Sequence, residues 1–370
     1  MYKKFKSNIG QLSKNFFGKY VNRKIVVFES DDWGSIRIPN KEALIKLRNF
    51  GFNVNNCGYV LNDALEDNSD MELLFDMLSR KKRPPIITAN FLTANPDFNK
   101  IKESNFEFYF NQTIDETAVS LPNRDKLFQY YNEGIENKFM RPQLHGREHL
   151  NIYRWMNDLK NGNKETIYAF ELETFGISAN VVNLRRLSYQ ATFDDNEYDS
   201  YLNSHYQIIG DAAKQFERLF GFSSISFIAP NYIWNEKIEQ ITSEFGIKFI
   251  QAGNYNKLFS TQHKKYIRNR HFFGSKNQFN QTYLIRNCEF EPFSDLNKDW
   301  INNCLKEIKI AFMLGKPAVI SMHRVNFIGS INSNNRSRNL KLFSNLIDEI
   351  IKKWPEVEFL SSDQLANEIL

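Results

Sequence analysis

Residues 24–34 read KIVVFESDDWG, and this stretch decides the fold prediction. Its first half, 24–29, is a short apolar run rich in β-branched residues and predicts a buried strand. Two adjacent carboxylates, Asp31 and Asp32, come directly after that strand. In parallel α/β folds the carboxyl ends of the strands share one face, and active sites are built there. The stretch therefore predicts the first strand of the sheet and one part of a functional site.

Seven further apolar runs with strand character follow along the chain. They lie at 86–91, 140–144, 224–229, 247–251, 282–287, 318–322 and 357–360. Between them lie segments with helical periodicity, at 41–50, 206–220, 237–245, 300–314 and 339–354. This alternation predicts an α/β fold in which helices cover a parallel sheet. Eight candidate strands favour a complete or incomplete (β/α) barrel with seven or eight parallel strands, and an open doubly wound sheet is the alternative.

The sequence predicts one catalytic domain after a short basic segment. In the segment 1–23, apolar residues and lysines at helical spacing favour a helix packed on the domain over one lying on a membrane surface. Residues 24–370 form the single (β/α) domain, with insertions near 94–138 and 161–203 that we expect to wall a substrate groove. The run NSNN at 332–335 predicts a mobile surface loop.

Composition argues against several classes of protein. The net charge of +5 is small for 370 residues, and no basic stripe or reading motif predicts a nucleic-acid partner. The most basic stretch, 263–271, is typical of a solvated loop or helix face. No apolar run is long enough for a membrane helix, no secretory signal precedes the first strand, and the three cysteines make no CxxC pair. These features predict a cytoplasmic protein.

Polar residues follow three later candidate strands, so we expect them on the same face as the aspartates. They are His145 and His149, the proline turn 229–232 and His323. Histidines four residues apart fit one side of a helical turn and suit two imidazoles on one metal ion, with capping or core histidines as the alternative. Keeping two adjacent carboxylates ionised costs free energy unless a cation lies nearby. One of the two can bind a metal ion while the other accepts or donates a proton.

A second aspartate pair, Asp194 and Asp195, also follows apolar residues. No clear strand precedes this pair, and no glycine follows it. We therefore interpret both as loop or capping groups rather than as metal ligands.

The order of these motifs resembles the polysaccharide deacetylases, which form carbohydrate esterase family four. The family's Thr-Phe-Asp-Asp-Gly motif is similar to 29–34 (ESDDWG), and its His-Ser/Thr-x-x-His motif is similar to 145–149 (HGREH). Its late Leu-x-His motif is similar to the sequence that ends at His323, so the likeness covers about 24–361. The resemblance implies a metal-dependent hydrolase that removes an N- or O-linked acetyl group from a sugar.

The resemblance also implies a role for each motif residue. Asp31 would be the catalytic base and His323 the catalytic acid. Asp32, His145 and His149 would hold a divalent metal ion. Zn²⁺ is the first candidate for this ion, and Co²⁺ and Ni²⁺ are alternatives. The substrate would be an acetylated sugar or glycan, or a lipid- or nucleotide-linked precursor of one.

Residues that flank the predicted site are candidates for substrate binding. They are Trp33, Pro230, Asn231, Tyr232 and Arg324. Trp33 and Tyr232, like Trp234, have rings that stack on sugars or pack in a core.

The sequence departs from the family at two points. The arginine that precedes the proline of the third motif is absent at Pro230, so another arginine must steady the base. The candidates for that role are Arg141, Arg147, Arg286 and Arg324. The Asp-containing fourth motif is also absent, and 286–291 (RNCEFE) is its candidate replacement. The missing arginine keeps open the alternative of a non-catalytic glycan-binding protein with a relict site. A glycoside hydrolase on a related barrel is a further alternative, with the same fold and another reaction.

Overall fold

A curled parallel sheet surrounded by helices forms the framework of the chain. The computed structural model describes residues 10, 12–175, 177, 181, 189–194, 199–260 and 265–369. The strands of this sheet and of two further two-stranded antiparallel sheets are β1 (Ile25–Trp33), β2 (Ile87–Leu92), β3 (Ala94–Pro96), β4 (Asn111–Thr113), β5 (Met140–Gly146), β6 (Ser226–Ile228), β7 (Phe249–Ala252), β8 (Tyr255–Ser260), β9 (Lys265–Arg270), β10 (Thr282–Ile285), β11 (Cys288–Glu289), β12 (Ala318–His323) and β13 (Glu358–Phe359). The α-helices are α1 (Lys41–Phe50), α2 (Gly58–Asn62), α3 (Asn68–Ser79), α4 (Phe98–Glu103), α5 (Ile114–Ser120), α6 (Leu127–Glu136), α7 (Ile152–Lys160), α8 (Lys164–Glu171), α9 (Asp199–Phe220), α10 (Glu236–Glu244), α11 (Trp300–Met313), α12 (Ser333–Lys353) and α13 (Ser362–Glu368).

The strand order shows an incomplete (β/α) barrel. The order is β10-β7-β6-β5-β2-β1-β12-β11, with β13 beside the start of β1, and every pair of neighbours is parallel. The two ends of this sheet, β10 and β11, are separated only by Arg286 and Asn287. The backbone N–H of Arg286 donates to Ala252 on β7 (2.8 Å), and that of Asn287 donates to Val319 on β12 (3.1 Å). One stretch of chain therefore joins both ends of the sheet, and the open doubly wound alternative is excluded.

Strand β1 lies near the centre of the sheet, and all nine of its residues are buried. A parallel strand covered on both faces is expected to be a continuous apolar run, which explains why 25–28 carries no polar residue. Phe28 packs edge-on against Phe343 of α12, with ring centroids 5.1 Å apart. The burial of β1 fixes the position of the residues that follow at its carboxyl end.

The run 332–335 is not a loop, and that prediction is wrong. Helix α12 begins at Ser333, and the side chain of Asn332 caps it by accepting from the backbone N–H of Asn335. The amide of Asn335 is buried and donates to the Val325 carbonyl oxygen at 2.7 Å. Asparagine favours helix caps as well as loops, and composition alone could not separate the two.

The basic stretch forms part of a hairpin rather than a loop or helix face. Lys265–Arg270 is strand β9, which pairs antiparallel with β8, and all six of its residues are exposed. Residues 263 and 264 lie outside the described residues. The prediction of solvent exposure holds for 265–270, whereas the predicted conformation is wrong.

The described end of the N-terminal segment, 12–23, and the first long insertion both lie against the barrel, and residues 1–9 and 11 lie outside the described residues. Lys316 donates to the carbonyl oxygens of Gly18 and Lys19 at 2.6 and 2.7 Å. The insertion near 94–138 contains the two-stranded antiparallel sheet β3–β4 and helices α4 to α6, whereas much of 161–203 lies outside the described residues. Among the described residues, no helix is both long and apolar enough to cross a bilayer.

The side chain of Asn287 fixes the stretch between β10 and β11 to the start of β12. It accepts from the Val319 N–H (2.9 Å) and donates to the Pro317 carbonyl oxygen (2.8 Å). We predict that Asn287→Ala lowers the free energy of unfolding by about 1–3 kcal/mol, because buried partners lose their hydrogen bonds. Urea denaturation measures this as a lower midpoint at constant slope. Asn49→Ala, at an exposed position of α1, is the matched control and should change stability by less than about 0.5 kcal/mol. Equal midpoints for the two variants would contradict the role of Asn287.

Candidate metal centre and active site

Asp31 and Asp32 lie at an irregularity in strand β1. The pairing of β1 with β2 is regular only as far as Ser30, and the register then shifts. Asp32 has a positive φ of 72°, and Gly34 follows with a φ of 84°. A Cβ at Gly34 would lie 2.4 Å from the Leu92 carbonyl oxygen, so only glycine fits there. Such a bulge re-aims side chains at a strand end, and it directs the two aspartates into the barrel mouth.

His145 and His149 meet through a strand end and a turn, and the predicted helical turn is wrong. His145 lies on β5, where the register against β2 shifts between Leu144 and Gly146. Gly146 has a φ of 128°, a conformation that glycine adopts at little cost. The chain turns there, and the two imidazole rings come within 5.3 Å of each other, centroid to centroid.

Asp32, His145 and His149 converge in a buried cluster. One candidate ligand atom from each lies within 4.8 Å of the others. The Nε2 atoms of His145 and His149 are 3.4 and 3.7 Å from Oδ1 of Asp32. Burial lowers the pKa of His149 to about 3, so its ring is neutral near neutral pH. Neutral imidazole is the form that binds a metal ion.

In this cluster, the hydrogen bonds leave hydrogen-bond acceptors of His145 and Asp32 facing each other. Nδ1 of His145 lies 2.9 Å from the Ile228 carbonyl oxygen, which can only accept, so Nδ1 carries the proton. In the neutral ring, Nε2 then carries no proton, and its lone pair faces Oδ1 of Asp32. Among the described residues, this Oδ1 has no hydrogen-bond partner. A divalent cation between Oδ1 and the imidazole nitrogens offsets the cost of burying them, and the three residues fit a metal ion on this ground.

A chain of buried ion pairs holds Asp32 in place. Arg37 donates to Oδ2 of Asp32 and to Oδ2 of Asp63, both at 3.0 Å. Arg324 continues the chain, because it donates to Asp63 at 3.2 Å and also to Glu66. Burial alone raises the pKa of Asp32, but the charge of Arg37 outweighs it and holds that pKa well below its usual value. Arg37 occupies Oδ2, which leaves Oδ1 of Asp32 for a metal.

Arg286 holds Asp31 through both carboxylate oxygens. Its Nη1 and Nη2 donate to Oδ2 and Oδ1 of Asp31 at 2.6 Å each, and its Nε donates to Glu29 at 2.5 Å. Asn90 adds a hydrogen bond to Oδ1 at 2.7 Å. Burial alone raises the pKa of Asp31, but Arg286 outweighs it and lowers the pKa to about 2. Asp31 is therefore ionised near neutral pH.

His323 lies opposite Asp31 and is held by Glu291. The two residues are paired in the register of β1 and β12, and Nε2 of His323 is 3.8 Å from Oδ2 of Asp31. Nδ1 of His323 lies 2.5 Å from Glu291, which also accepts from Asn326 at 2.9 Å. Burial alone lowers the pKa of His323, but Glu291 outweighs it and raises the pKa to about 9. The His323 side chain is 23% exposed and that of Asp31 is 6% exposed, so a ligand can reach the protonated histidine.

The segment 286–291 contacts both Asp31 and His323, through Arg286 and Glu291. Arg286 is the arginine candidate that contacts Asp31. Arg141 pairs with Asp363 instead, and Arg147 pairs with Glu148. Arg324 belongs to the network that supports Asp32.

Two of the predicted substrate-binding residues lie away from the open side of the site. Trp33 is buried among apolar residues, and its indole N–H donates to the Ser30 hydroxyl at 3.0 Å. Arg324 is fully buried and donates to the carboxylates of Asp63 and Glu66. Both side chains support the site from behind.

The proline turn contributes in two ways. Tyr232 accepts a hydrogen bond from Arg286 at 3.2 Å and is half-buried, so its ring borders the site. Asn231 is exposed, whereas Pro230 is buried. Ile228, just before this turn, supplies the carbonyl oxygen that orients His145.

The second aspartate pair is not part of the metal cluster. Asp194 is buried, pairs with Arg154 at 3.0 Å and accepts from the Tyr266 hydroxyl. Asp195 lies outside the described residues. Among the described residues, Asp32, His145 and His149 form the cluster of candidate metal ligands, and Asp194 is not part of it.

Sequence reasoning missed the residues that support the reactive groups. They are Arg37, Asp63, Glu66, Asn90 and Gln251, of which Gln251 accepts from Asn90 at 2.8 Å. No motif marks them, since a charged residue a few positions from a turn is usually solvated. The one usable signal was the cost of burying two adjacent carboxylates, which requires nearby cations without identifying them.

No family model matches the sequence, and no curated protein matches it. Among solved structures, the chain is similar to a Mycobacterium smegmatis protein assigned as a polysaccharide deacetylase, with 10% identity, coverage of 95% of this chain and 92% of that chain, and a TM-score of 0.44. It is similar to the 4-α-glucanotransferase of Thermococcus litoralis, with 8% identity, coverage of 94% and 40%, and a TM-score of 0.44. It is also similar to a carbohydrate esterase family four pseudoenzyme of Bacillus anthracis, with 9% identity, coverage of 93% and 66%, and a TM-score of 0.37. Two of these three structures are thus described as belonging to the family that the motifs resemble. These likenesses assign no activity to the chain.

We predict that the purified protein binds about one equivalent of divalent metal and that His149→Ala abolishes this binding, because one of three ligands is lost. Elemental mass spectrometry after reconstitution with Zn²⁺ measures the content. Asp76→Asn, which removes an exposed carboxylate on α3, is the control and should keep the wild-type content. Equal metal in the His149→Ala and Asp76→Asn proteins would refute the site.

Proposed function

We propose that this protein is a metal-dependent hydrolase that removes an N- or O-linked acetyl group from a sugar. One observation carries the proposal. The Asp32–His145–His149 cluster lies directly beside an ionised carboxylate and a protonated histidine, Asp31 and His323. Hydrolysis of an amide or ester needs a place to activate water, a base and an acid, and this arrangement offers all three.

Asp32, His145 and His149 would hold the metal. Two imidazoles and one carboxylate form the kind of ligand set that Zn²⁺ uses in catalytic sites, and Co²⁺ or Ni²⁺ are alternatives. When bound, such an ion supplies Lewis acidity toward water and the acyl oxygen. The chain contributes the orientation of the ligands, through the Ile228 carbonyl oxygen on His145 and through Arg37 on Asp32.

Asp31 is the proposed base. Its Oδ1 is occupied by Asn90 and Arg286, whereas Oδ2 receives one strong bond from Arg286 and faces His323. Oδ2 is therefore the oxygen that takes the proton from the attacking water. Arg286 keeps this carboxylate ionised and fixes its orientation, so that little reorganisation is needed at the moment of reaction.

His323 is the proposed acid. Glu291 holds Nδ1 and keeps the ring protonated, so the proton on Nε2 is available for transfer. It would be given to the departing amine or hydroxyl of the sugar, which otherwise leaves poorly. Tyr232, at the edge of the site, is the residue that we propose contacts the sugar ring.

The substrate is proposed to be a cytoplasmic precursor rather than a finished glycan. Cys57, Cys288 and Cys304 are buried cysteines with no disulfide between them, which suits a reducing compartment. The contact between Arg286 and Asp31 favours a catalytically active site over a relict one, because an arginine holds the proposed base in place. Release of a reducing sugar without acetate would favour the glycoside hydrolase alternative.

We predict that Asp31→Asn and His323→Ala each slow acetate release from an acetylated amino sugar by about 10²–10⁴-fold, since each removes one proton transfer. A coupled enzymatic assay for acetate, run on protein loaded with Zn²⁺, measures the rates. Asp295→Asn, at an exposed position, serves as the control and should keep the wild-type rate. Wild-type rates in both Asp31→Asn and His323→Ala would overturn the assignment, provided that their metal content is unchanged.

We predict that Glu291→Gln shifts the alkaline limb of the kcat/KM profile to lower pH. Glu291 raises the pKa of His323, so its neutralisation lowers that pKa and the acid form is lost at a lower pH. The acidic limb does not report Asp31, because its pKa of about 2 keeps it ionised. Glu289→Gln, which changes an exposed carboxylate two residues away, is the control and should leave the limb in place. Superimposable profiles for wild type and Glu291→Gln would show that Glu291 does not tune the acid.

A further inference from the structure

A cavity of about 700 Å³ lies beside the proposed active site. It is lined by α1, by α2 and the turn before it, by the segment after β11, and by the first turn of α12. These segments follow β1, β11 and β12. Asp31 and His323 lie on β1 and β12, and Glu291 lies just after β11. Because loops at the carboxyl ends of parallel strands share one face, the cavity and the active site lie on the same face of the barrel.

Two aromatic rings lie between this cavity and His323. Phe293 lines the cavity, and its ring centroid is 4.8 Å from that of Tyr59. The Tyr59 ring is in turn 5.2 Å from the His323 ring. The cavity is therefore close to His323, and a substrate held at His323 would reach it by extending over these two rings.

The cavity carries positive charge that its own lining does not neutralise. Lys41, Arg48 and Arg338 line it, and no aspartate or glutamate does so among the described residues. In the described part of the chain, none of these three cations pairs with a carboxylate. Arg338 is held instead by the neutral carbonyl oxygens of Pro292 and Leu296, at 3.0 and 3.2 Å. Its charge remains available to an anion.

We propose that this cavity binds a phosphoryl group of the substrate, so that the acetylated sugar is a sugar phosphate or diphosphate conjugate. The proposal rests on the proposed function, because it places the acetyl group at His323. Three cations match the two or more negative charges of a diphosphate better than the single charge of a carboxylate, and arginine suits phosphate oxygens in geometry. The volume is within the range of small-molecule sites. Nucleotide-linked and lipid-linked sugars share this chemistry.

The experiment uses inorganic pyrophosphate as the probe. Isothermal titration calorimetry on the full chain, in a buffer with chelator, measures its Kd without a metal in the active site. We expect the double variant Lys41→Gln/Arg48→Gln to raise this Kd about tenfold or more and wild-type binding to weaken with added salt. Lys46→Gln is the matched control, because Lys46 is an exposed cation of the same helix that pairs with Glu42 and does not line the cavity.

The outcomes separate this proposal from the proposed function. Binding that persists in His149→Ala and weakens in the double variant supports the phosphoryl site, even if no acetate is released from any sugar, in which case the proposed function fails alone. No binding of pyrophosphate at millimolar concentration, or equal binding by the double variant and Lys46→Gln, overturns the phosphoryl site. With an active enzyme, the conjugate whose KM rises in the double variant, nucleotide-linked or lipid-linked, identifies the source of the phosphate.

Discussion

The burial of two adjacent carboxylates is the constraint on which the site depends. Each carboxylate has its own arginine, Arg286 for Asp31 and Arg37 for Asp32. Each arginine network also contains further buried acids, Glu29 in the first and Asp63 and Glu66 in the second, the second held together by Arg324 as well. Burial raises the pKa of Glu29 and of Asp63. Both networks contain more acids than arginines, and buried charge of this kind requires compensation.

Irregular pairing with a single strand, β2, positions the metal cluster. The register of β1 against β2 shifts after Ser30, and that of β5 against β2 shifts around His145. A regular strand would direct neighbouring residues to opposite faces, so Asp31 and Asp32 could not both enter the barrel mouth. The bulges permit this at the cost of unusual backbone at Asp32 and Gly146. The arrangement is therefore a property of the sheet, and the loops only complete it.

The strands and the candidate site residues could be predicted from the sequence, but the residues that hold the site residues in place could not. The eight predicted strands all correspond to strands of the structure, because buried parallel strands have a strong local pattern. Asp31, Asp32, His145, His149 and His323 were predictable because each comes shortly after one of the apolar runs that predict a strand. Their supporting partners were not, since Arg286 is 255 positions from Asp31 and Arg324 is 261 from Asp63. Periodicity carries no information on such contacts, nor does it distinguish the capping asparagine that begins α12 from a loop.

The joining of β10 to β11 through one stretch of chain has a consequence for folding. Arg286 lies in that stretch, so Asp31 and Glu29 acquire their counter-charge only when the two ends of the sheet come together. Until then the carboxylates remain hydrated, and their repulsion opposes collapse of the strand ends. Closure of the sheet and assembly of the buried ion pairs of Asp31 are in this sense one cooperative event. Local opening at 286–287 would remove the counter-charge of Asp31 before the rest of the chain unfolds.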